Sequence, residues 1–148
     1  QSPEFAELVK PTHVNAIIDA VKDSYDYIIF DLGPTLDDCV LQALELSDTV
    51  YFIITPEIST LKNAKNCMNV LHTLELSKKV KFILNKDGDS YVKKKDVEST
   101  LDEDIELVIS SDPKTTIASI NRGVPIVIAS PKSKVGKEII RFVNRDEI

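Results

Sequence analysis

Tyr27-Ile28-Ile29-Phe30-Asp31-Leu32-Gly33-Pro34 decides the fold class of this 148-residue chain. A run of isoleucines and aromatics meets an aspartate, and a Gly-Pro turn follows. A short apolar run closed by turn residues predicts a buried parallel strand over 26–31. The aspartate then falls at the strand's C-terminal end, where open α/β sheets bind ligands. A carboxylate there suits Mg²⁺, held directly or through water. Gly33 lets its N–H approach a phosphate with no Cβ in the way, and Pro34 fixes the turn. The phosphate-loop pattern GxxxxGK[ST] occurs nowhere in the sequence.

Outward from this stretch, helical and strand patterns alternate. Thr12 is expected to cap a helix over 13–23, with Val14, Ile17, Ile18 and Val21 at helical spacing. Asp37 or Asp38 opens a helix to 46, with Val40, Leu41 and Leu44 inward. A strand over 50–54 ends at Thr55-Pro56. Ser59 caps a long helix to 76 carrying Leu61, Ala64, Met68 and Leu71. A strand over 80–84 ends at Asn85-Lys86, and a polar loop, 86–92, leads to a short helix over 93–101. A strand over 105–109 ends at Ser110-Ser111-Asp112-Pro113. A helix over 114–122 stops at Gly123, a helix-ending glycine. An apolar piece, 124–129, precedes a last helix over 133–145 capped by Ser133.

This alternation implies an α/β fold, a doubly wound and mostly parallel sheet with helices on both faces. Because the order begins with a helix, a first strand and its phosphate loop are expected upstream of residue 1. Residues 6–148 read as a single α/β domain. Gln1-Ser2-Pro3-Glu4-Phe5 reads as a linker or a vector-derived scar.

A net charge of −6 counts against a mainly electrostatic nucleic-acid binder. No apolar stretch approaches the roughly 20 residues of a membrane span, and no signal peptide is visible. Cys39 and Cys67, the 2 cysteines, read as isolated buried thiols in a reducing, cytoplasmic compartment. His13 and His72 are isolated and do not suggest a metal site. Lys93-Lys94-Lys95 reads as a solvated face. In the last helix Val135, Ile139, Ile140, Phe142 and Val143 form one stripe, with Lys134, Lys137, Arg141 and Arg145 largely elsewhere. The stripe suits a helix closing the core, with a membrane-surface helix as the alternative.

Asp31, Thr55, Asn85 with Lys86, and Asp112 all recur where strands end, so a parallel sheet would carry them on one edge. Local turn chemistry also places polar residues there. The Asn85 amide offers a donor and an acceptor, which match a purine edge. The guanine signature Asn-Lys-x-Asp is unmet, because position 88 is Gly and the acids stand at 87 and 89. Asp37 and Asp38 suit helix capping, or the positioning of water or metal.

The ordered set of motifs resembles the C-terminal half of a ParA/MinD-type ATPase, closest to the TadZ/CpaE branch linked to Flp/Tad-type pilus assembly. It comprises Tyr25-Asp26 through Asp31 to Pro34, then Thr55-Pro56-Glu57 with Ser59 and Ala64. Asn85-Lys86, Asp112-Pro113 and Asn121-Arg122-Gly123-Val124-Pro125 complete it, across residues 6–145. The Ser-to-Ala spacing is one longer than the family's. The resemblance implies that Asp31 is a Walker-B-like acid holding Mg²⁺ through water. Gly33, followed by Pro34, would belong to the switch that feels the γ-phosphate. Asn85, with Lys86 beside it, would contact adenine, and the loop carrying Asp112 and Pro113 would close over the base. It implies ATP and Mg²⁺ as cofactors of the intact protein, a homodimer, and pilus or secretion machinery as partners. It also implies peripheral membrane contact and a place at the inner face of the cell membrane or the cell pole. The family's phosphate-loop lysines are absent here, so phosphate binding and hydrolysis are not expected of this chain alone. Two other readings stand beside it. One is a receiver-like domain built on Asp31, Thr55 and Lys86, and the other a non-catalytic dimerisation or localisation module.

Overall fold

The computed structural model describes residues 8–145. The linker or scar expected at 1–5 lies outside them. The chain divides into two compact units, residues 1–50 and 51–148.

In the first unit, α1 (Pro11–Val21) and α2 (Asp38–Leu46) pack on each other. Thr12 does not cap α1. Lys10 does, with Pro11 in the first turn and His13 Nδ1 accepting from the Lys10 N–H at 3.1 Å. Proline fits there because the first-turn N–H has no helical partner in any case. Val14, Ile18 and Val21 are half-buried, whereas Ile17 is exposed. Asp37 caps α2 by accepting from the Val40 N–H at 2.9 Å, and Ala43 and Leu44 are buried. Cys39 is half-buried and donates to the Val9 carbonyl.

The strand expected over 26–31 is absent. Residues 27–33 form no ladder, and Tyr27 and Ile29 are 78% and 89% exposed. Apolar, β-branched residues favour an extended backbone, but a parallel strand exists only when neighbours accept its hydrogen bonds. No strand among the described residues pairs with this segment.

The second unit holds a three-stranded sheet in the order β1 (Val50–Ile54), β2 (Val80–Asp87), β3 (Ile105–Ser110). β2 and β3 run parallel. The expected α/β class holds, with a parallel sheet and helices packed on it. α3 (Ile58–Thr73) joins β1 to β2, and α4 (Lys94–Leu101) joins β2 to β3. α3 packs on α4. Leu61, Ala64, Met68 and Leu71 of α3 are all buried, at the i, i+3, i+4 spacing read in the sequence. The α3 cap is Glu57, not Ser59, which lies inside the helix. β2 runs three residues beyond its expected end at 84.

The core gathers on β2, where Phe82, Ile83 and Leu84 are buried. Phe82 packs on Phe52 of β1, ring centroids 5.5 Å apart. Cys67 is half-buried rather than fully buried, and desolvation raises its thiol pKa. At the start of β3, Glu98 accepts from the Ile105 N–H at 3.2 Å.

After β3 come α5 (Pro113–Arg122), the short α6 (Ile126–Ala129) and α7 (Lys134–Val143). Gly123 ends α5 at φ +63, in the left-handed region. α7 packs on β3 with Val135 buried, as a core-closing helix does. Phe142 meets Tyr51 edge-to-face at 5.5 Å, Val143 stays 53% exposed, and Arg145 pairs with Glu106. Ser133 caps α7 by accepting from the Gly136 N–H at 3.0 Å.

A Cβ on Gly136 would lie 2.5 Å from the Ser130 carbonyl oxygen, whereas one on Gly33 would meet nothing within 4 Å. Gly136→Ala is therefore expected to cost about 1–3 kcal/mol of folding stability through a clash with rigid backbone. Gly33→Ala is expected to change stability by less than about 0.5 kcal/mol. Urea unfolding of the two variants checks both.

Candidate functional site

Three strand ends of the second unit are tied together by hydrogen bonds. At the end of β2 the register with β3 breaks between Leu84 and Asp87. Lys86 sits there in the left-handed region at φ +57, and the Asn85 side-chain oxygen accepts from the Lys86 N–H at 2.9 Å. Irregularities of this kind re-aim side chains beside functional sites. Left-handed backbone at a residue other than glycine costs energy that the surrounding structure must hold in place. Asn85 is half-buried and Lys86 is exposed.

The ladder closes with Asp87 opposite Ser110, and the Ser111 N–H donates to the Asp87 carbonyl at 2.7 Å. Gly88 lies close by, since a Cβ on it would come within 3.1 Å of the Ser111 Cβ. The next residue, Asp112, caps α5 by accepting from the Thr115 N–H at 3.0 Å, with Pro113 in the first turn. The Thr115 hydroxyl, and then its N–H, hold the Asp112 carboxyl below the usual carboxylate range. Asp112 therefore serves the helix as a cap while standing at the sheet edge.

The third strand end joins through Ser90, whose hydroxyl donates to the Pro56 carbonyl at 2.7 Å and accepts from the Val92 N–H at 3.2 Å. Thr55 and Thr60 share a hydroxyl hydrogen bond of 3.1 Å. Thr55, Asn85, Lys86 and Asp112, with Pro113 beside it, thus stand at linked strand ends as expected, whereas Asp31 ends no strand. The edge presents an amide, an ammonium group and a helix N-terminus, a set suited to a polar planar ring with an anionic tail.

Asp31, Gly33 and Pro34 belong to the first unit, in an extended and exposed segment. Gly33 has no left-handed φ and no crowded neighbour, so internal packing does not demand glycine there. Among the described residues no cluster of three or more His, Cys, Asp or Glu is placed to hold a metal ion. A single exposed carboxylate fits Mg²⁺ that keeps most of its water and takes further ligands from a phosphate. Asp37 acts as a helix cap.

The sequence reading missed Ser90 and Glu138. Ser90 is one serine in a polar loop. Glu138 reaches Ser110 from 28 residues away, with no local signal of that contact. An apolar depression of about 390 Å³ along α5 and α6, lined by Ser119, Ile120, Val124 and Ile126 among others, carries no charged group. No helix among the described residues is long and apolar enough to cross a membrane.

Residues 4–85 match a family described as an AAA domain. A putative septum site-determining protein MinD of Emiliania huxleyi is 24% identical over 142 residues, covering 93% of this chain and 52% of that protein. The septum site-determining protein MinD of Thermotoga maritima is 25% identical over 146 residues, covering 94% of this chain and 53% of its own length. The chain thus spans about half the length of the curated relatives it matches. A ParA family ATPase from Chlorobium tepidum superposes with a TM-score of 0.88 at 25% identity, over 95% of this chain and 59% of that one. MinD from Pyrococcus horikoshii, crystallised with Mg-ADP, superposes with a TM-score of 0.80 at 24% identity, over 97% and 59%. This last likeness is one of fold.

Two variants test the local geometry. Lys86→Gly is expected to raise stability by about 1 kcal/mol, because glycine carries no penalty at this φ; a denaturant midpoint reads it. Thr115→Val is expected to raise the Asp112 pKa, read by side-chain NMR titration. In the wild type the Asp112 carboxyl is depressed on folding. Its stabilisation is full above the unfolded-state value of about 4 and is lost as pH falls through the folded value. In Thr115→Val the gap between the two values narrows, so less stabilisation is lost and the loss is complete at a higher pH.

Proposed function

The chain belongs to the AAA domain family of ParA/MinD-like P-loop ATPases, and on that premise we propose that it forms part of an adenine-nucleotide-dependent switch. The observation that supports this reading is the edge built by β2 and β3. The Asn85 amide stands there at a strained bend, beside the loop that Asp112 turns into α5. An amide at this edge can donate to a ring nitrogen of adenine and accept from its exocyclic amine. The Ser111-Asp112-Pro113 loop would cover the base. The unmet guanine signature, with Gly at 88, favours adenine over guanine.

Asp31 would hold Mg²⁺ through water, and Gly33 would offer its N–H to a terminal phosphate. Mg²⁺, when bound, neutralises phosphate charge. The lysine-bearing phosphate loop is not among these residues, so turnover is a property of a protein that also carries one. Nucleotide would favour a homodimer, and hydrolysis would release it.

The finer proposal is that the switch places or assembles a Flp/Tad-type pilus machine, as in the TadZ/CpaE branch, in the cytoplasm at the inner membrane face or cell pole. The motif order from Tyr25 to Pro125 supports that proposal. The curated relatives are named for septum-site determination, and a nucleotide-dependent placement switch is common to both roles. The receiver-like reading is not favoured, since the chain aligns with ParA and MinD proteins along more than nine-tenths of its length.

The test uses the intact protein with Mg-ATP. Asn85→Ala is expected to weaken adenine nucleotide binding about tenfold, the loss of one or two hydrogen bonds to a polar ring. Asp31→Ala is expected to abolish the Mg²⁺ dependence of binding and turnover. Mass measurement by light scattering is expected to show a dimer only with ATP. An unchanged mass with Mg-ATP, together with unaltered nucleotide behaviour in Asp31→Ala, would overturn the switch.

A further inference from the structure

Glu138 of α7 makes two hydrogen bonds to one residue at the end of β3. The Ser110 N–H donates to Glu138 Oε2 at 2.8 Å, and the Ser110 hydroxyl donates to Oε1 at 2.7 Å. Ser110 is 9% exposed. It is the last residue of β3 and the last in register with β2.

Its position explains why a side-chain acceptor is needed. β3 is an edge strand of the described sheet, so half of its N–H groups point away from β2 and lack a ladder partner. At Ser110 the ladder supplies no acceptor and Glu138 does. The following N–H, of Ser111, turns back to the Asp87 carbonyl at 2.7 Å. Two consecutive amides are thereby held from opposite sides, one by α7 and one by β2. The next residue is Asp112, whose carboxylate starts α5. A bidentate, charge-assisted grip fixes rotation as well as position, which a single neutral hydroxyl would not do.

The helix that brings Glu138 here is itself closely seated. Val135 is buried, and Gly136 lies so near the Ser130 carbonyl that a Cβ would clash. Glu138 is thus anchored two residues from a rigid contact, and its reach to Ser110 starts from a fixed backbone.

We infer that Glu138 is a positioning residue for base recognition: by holding Ser110 it sets the course of the 111–113 loop and with it the preference for adenine. This inference rests on the adenine-edge reading of Asn85 and Asp112. Glu138 touches no base itself. A tie that only stabilised the fold would lower the melting temperature and leave base preference alone.

The experiment measures Mg-ADP and Mg-GDP affinities of the intact protein by calorimetry, with melting temperature and amide exchange at Ser111 and Thr115. Glu138→Ala is expected to weaken Mg-ADP binding about tenfold. It is also expected to cut the ADP-over-GDP ratio severalfold and to speed exchange at Ser111. Glu138→Gln, which can accept from the Ser110 N–H and donate to its hydroxyl, is expected to restore the ratio. Lys137→Ala, an exposed neighbour on α7, is expected to behave as wild type. If Glu138→Ala does not fold, Ser110→Ala decides, since it removes only the hydroxyl arm and is expected to lower the ratio by a smaller factor. Wild-type binding with an unchanged base ratio in these variants overturns the role of Glu138 alone. Absence of Mg-ADP binding by the wild type overturns the adenine-edge reading, and this role with it.

Discussion

β2 lies between two neighbours in the described sheet and is buried along Phe82, Ile83 and Leu84. Full burial of each such side chain contributes roughly 1.5–3 kcal/mol. Burial on this scale is available only while both flanking strands and the α3 stripe remain in place. The rest of the second unit follows from that constraint. α3 must present Leu61, Ala64, Met68 and Leu71 inward, and α7 must bring Val135 to the core. Once β2 is held, its C-terminal end cannot drift, and the polar residues after Leu84 inherit a fixed position.

That fixed position allows the chain to keep an unfavourable backbone at Lys86. A left-handed lysine in an otherwise extended segment persists because the ladder on one side and the Asp87–Ser111 hydrogen bond on the other constrain it. The result is a short kink that places Asn85 and Lys86 at the edge beside the N-terminus of α5. Stability and the candidate site are thus linked. The core supplies rigidity, and the bend stores part of it as orientation of two side chains.

The first unit shows the converse. Tyr27, Ile28, Ile29 and Phe30 have the composition of a buried strand but no strand partner among the described residues, and Tyr27 and Ile29 face solvent. An unpaired extended segment leaves a row of backbone N–H and C=O groups without ladder partners. Asp31 and Gly33 follow this segment. Their chemistry was readable in the sequence, whereas no ladder among the described residues orients them.

Local pattern determined much of the second unit. The burial of the four α3 residues, the end of α5 at Gly123 and the cap at Ser133 each depend on neighbours within one or two helical turns, and such periodicities are written in the chain. The grouping of Asn85, Lys86, Asp112 and Pro113 followed from alternating strands and helices, because a parallel sheet puts every strand's C-terminal end on one side. Only the tertiary structure decided the rest. Whether residues 27–31 form a strand depends on acceptors elsewhere in the chain, not on their own apolar character. The start of α1 at Lys10 rather than Thr12 is a local matter instead, set by Pro11 in the first turn and His13 accepting from the Lys10 N–H. Glu138 reaches Ser110 across 28 residues; no local rule pairs them, since the contact exists only after α7 has docked on β3.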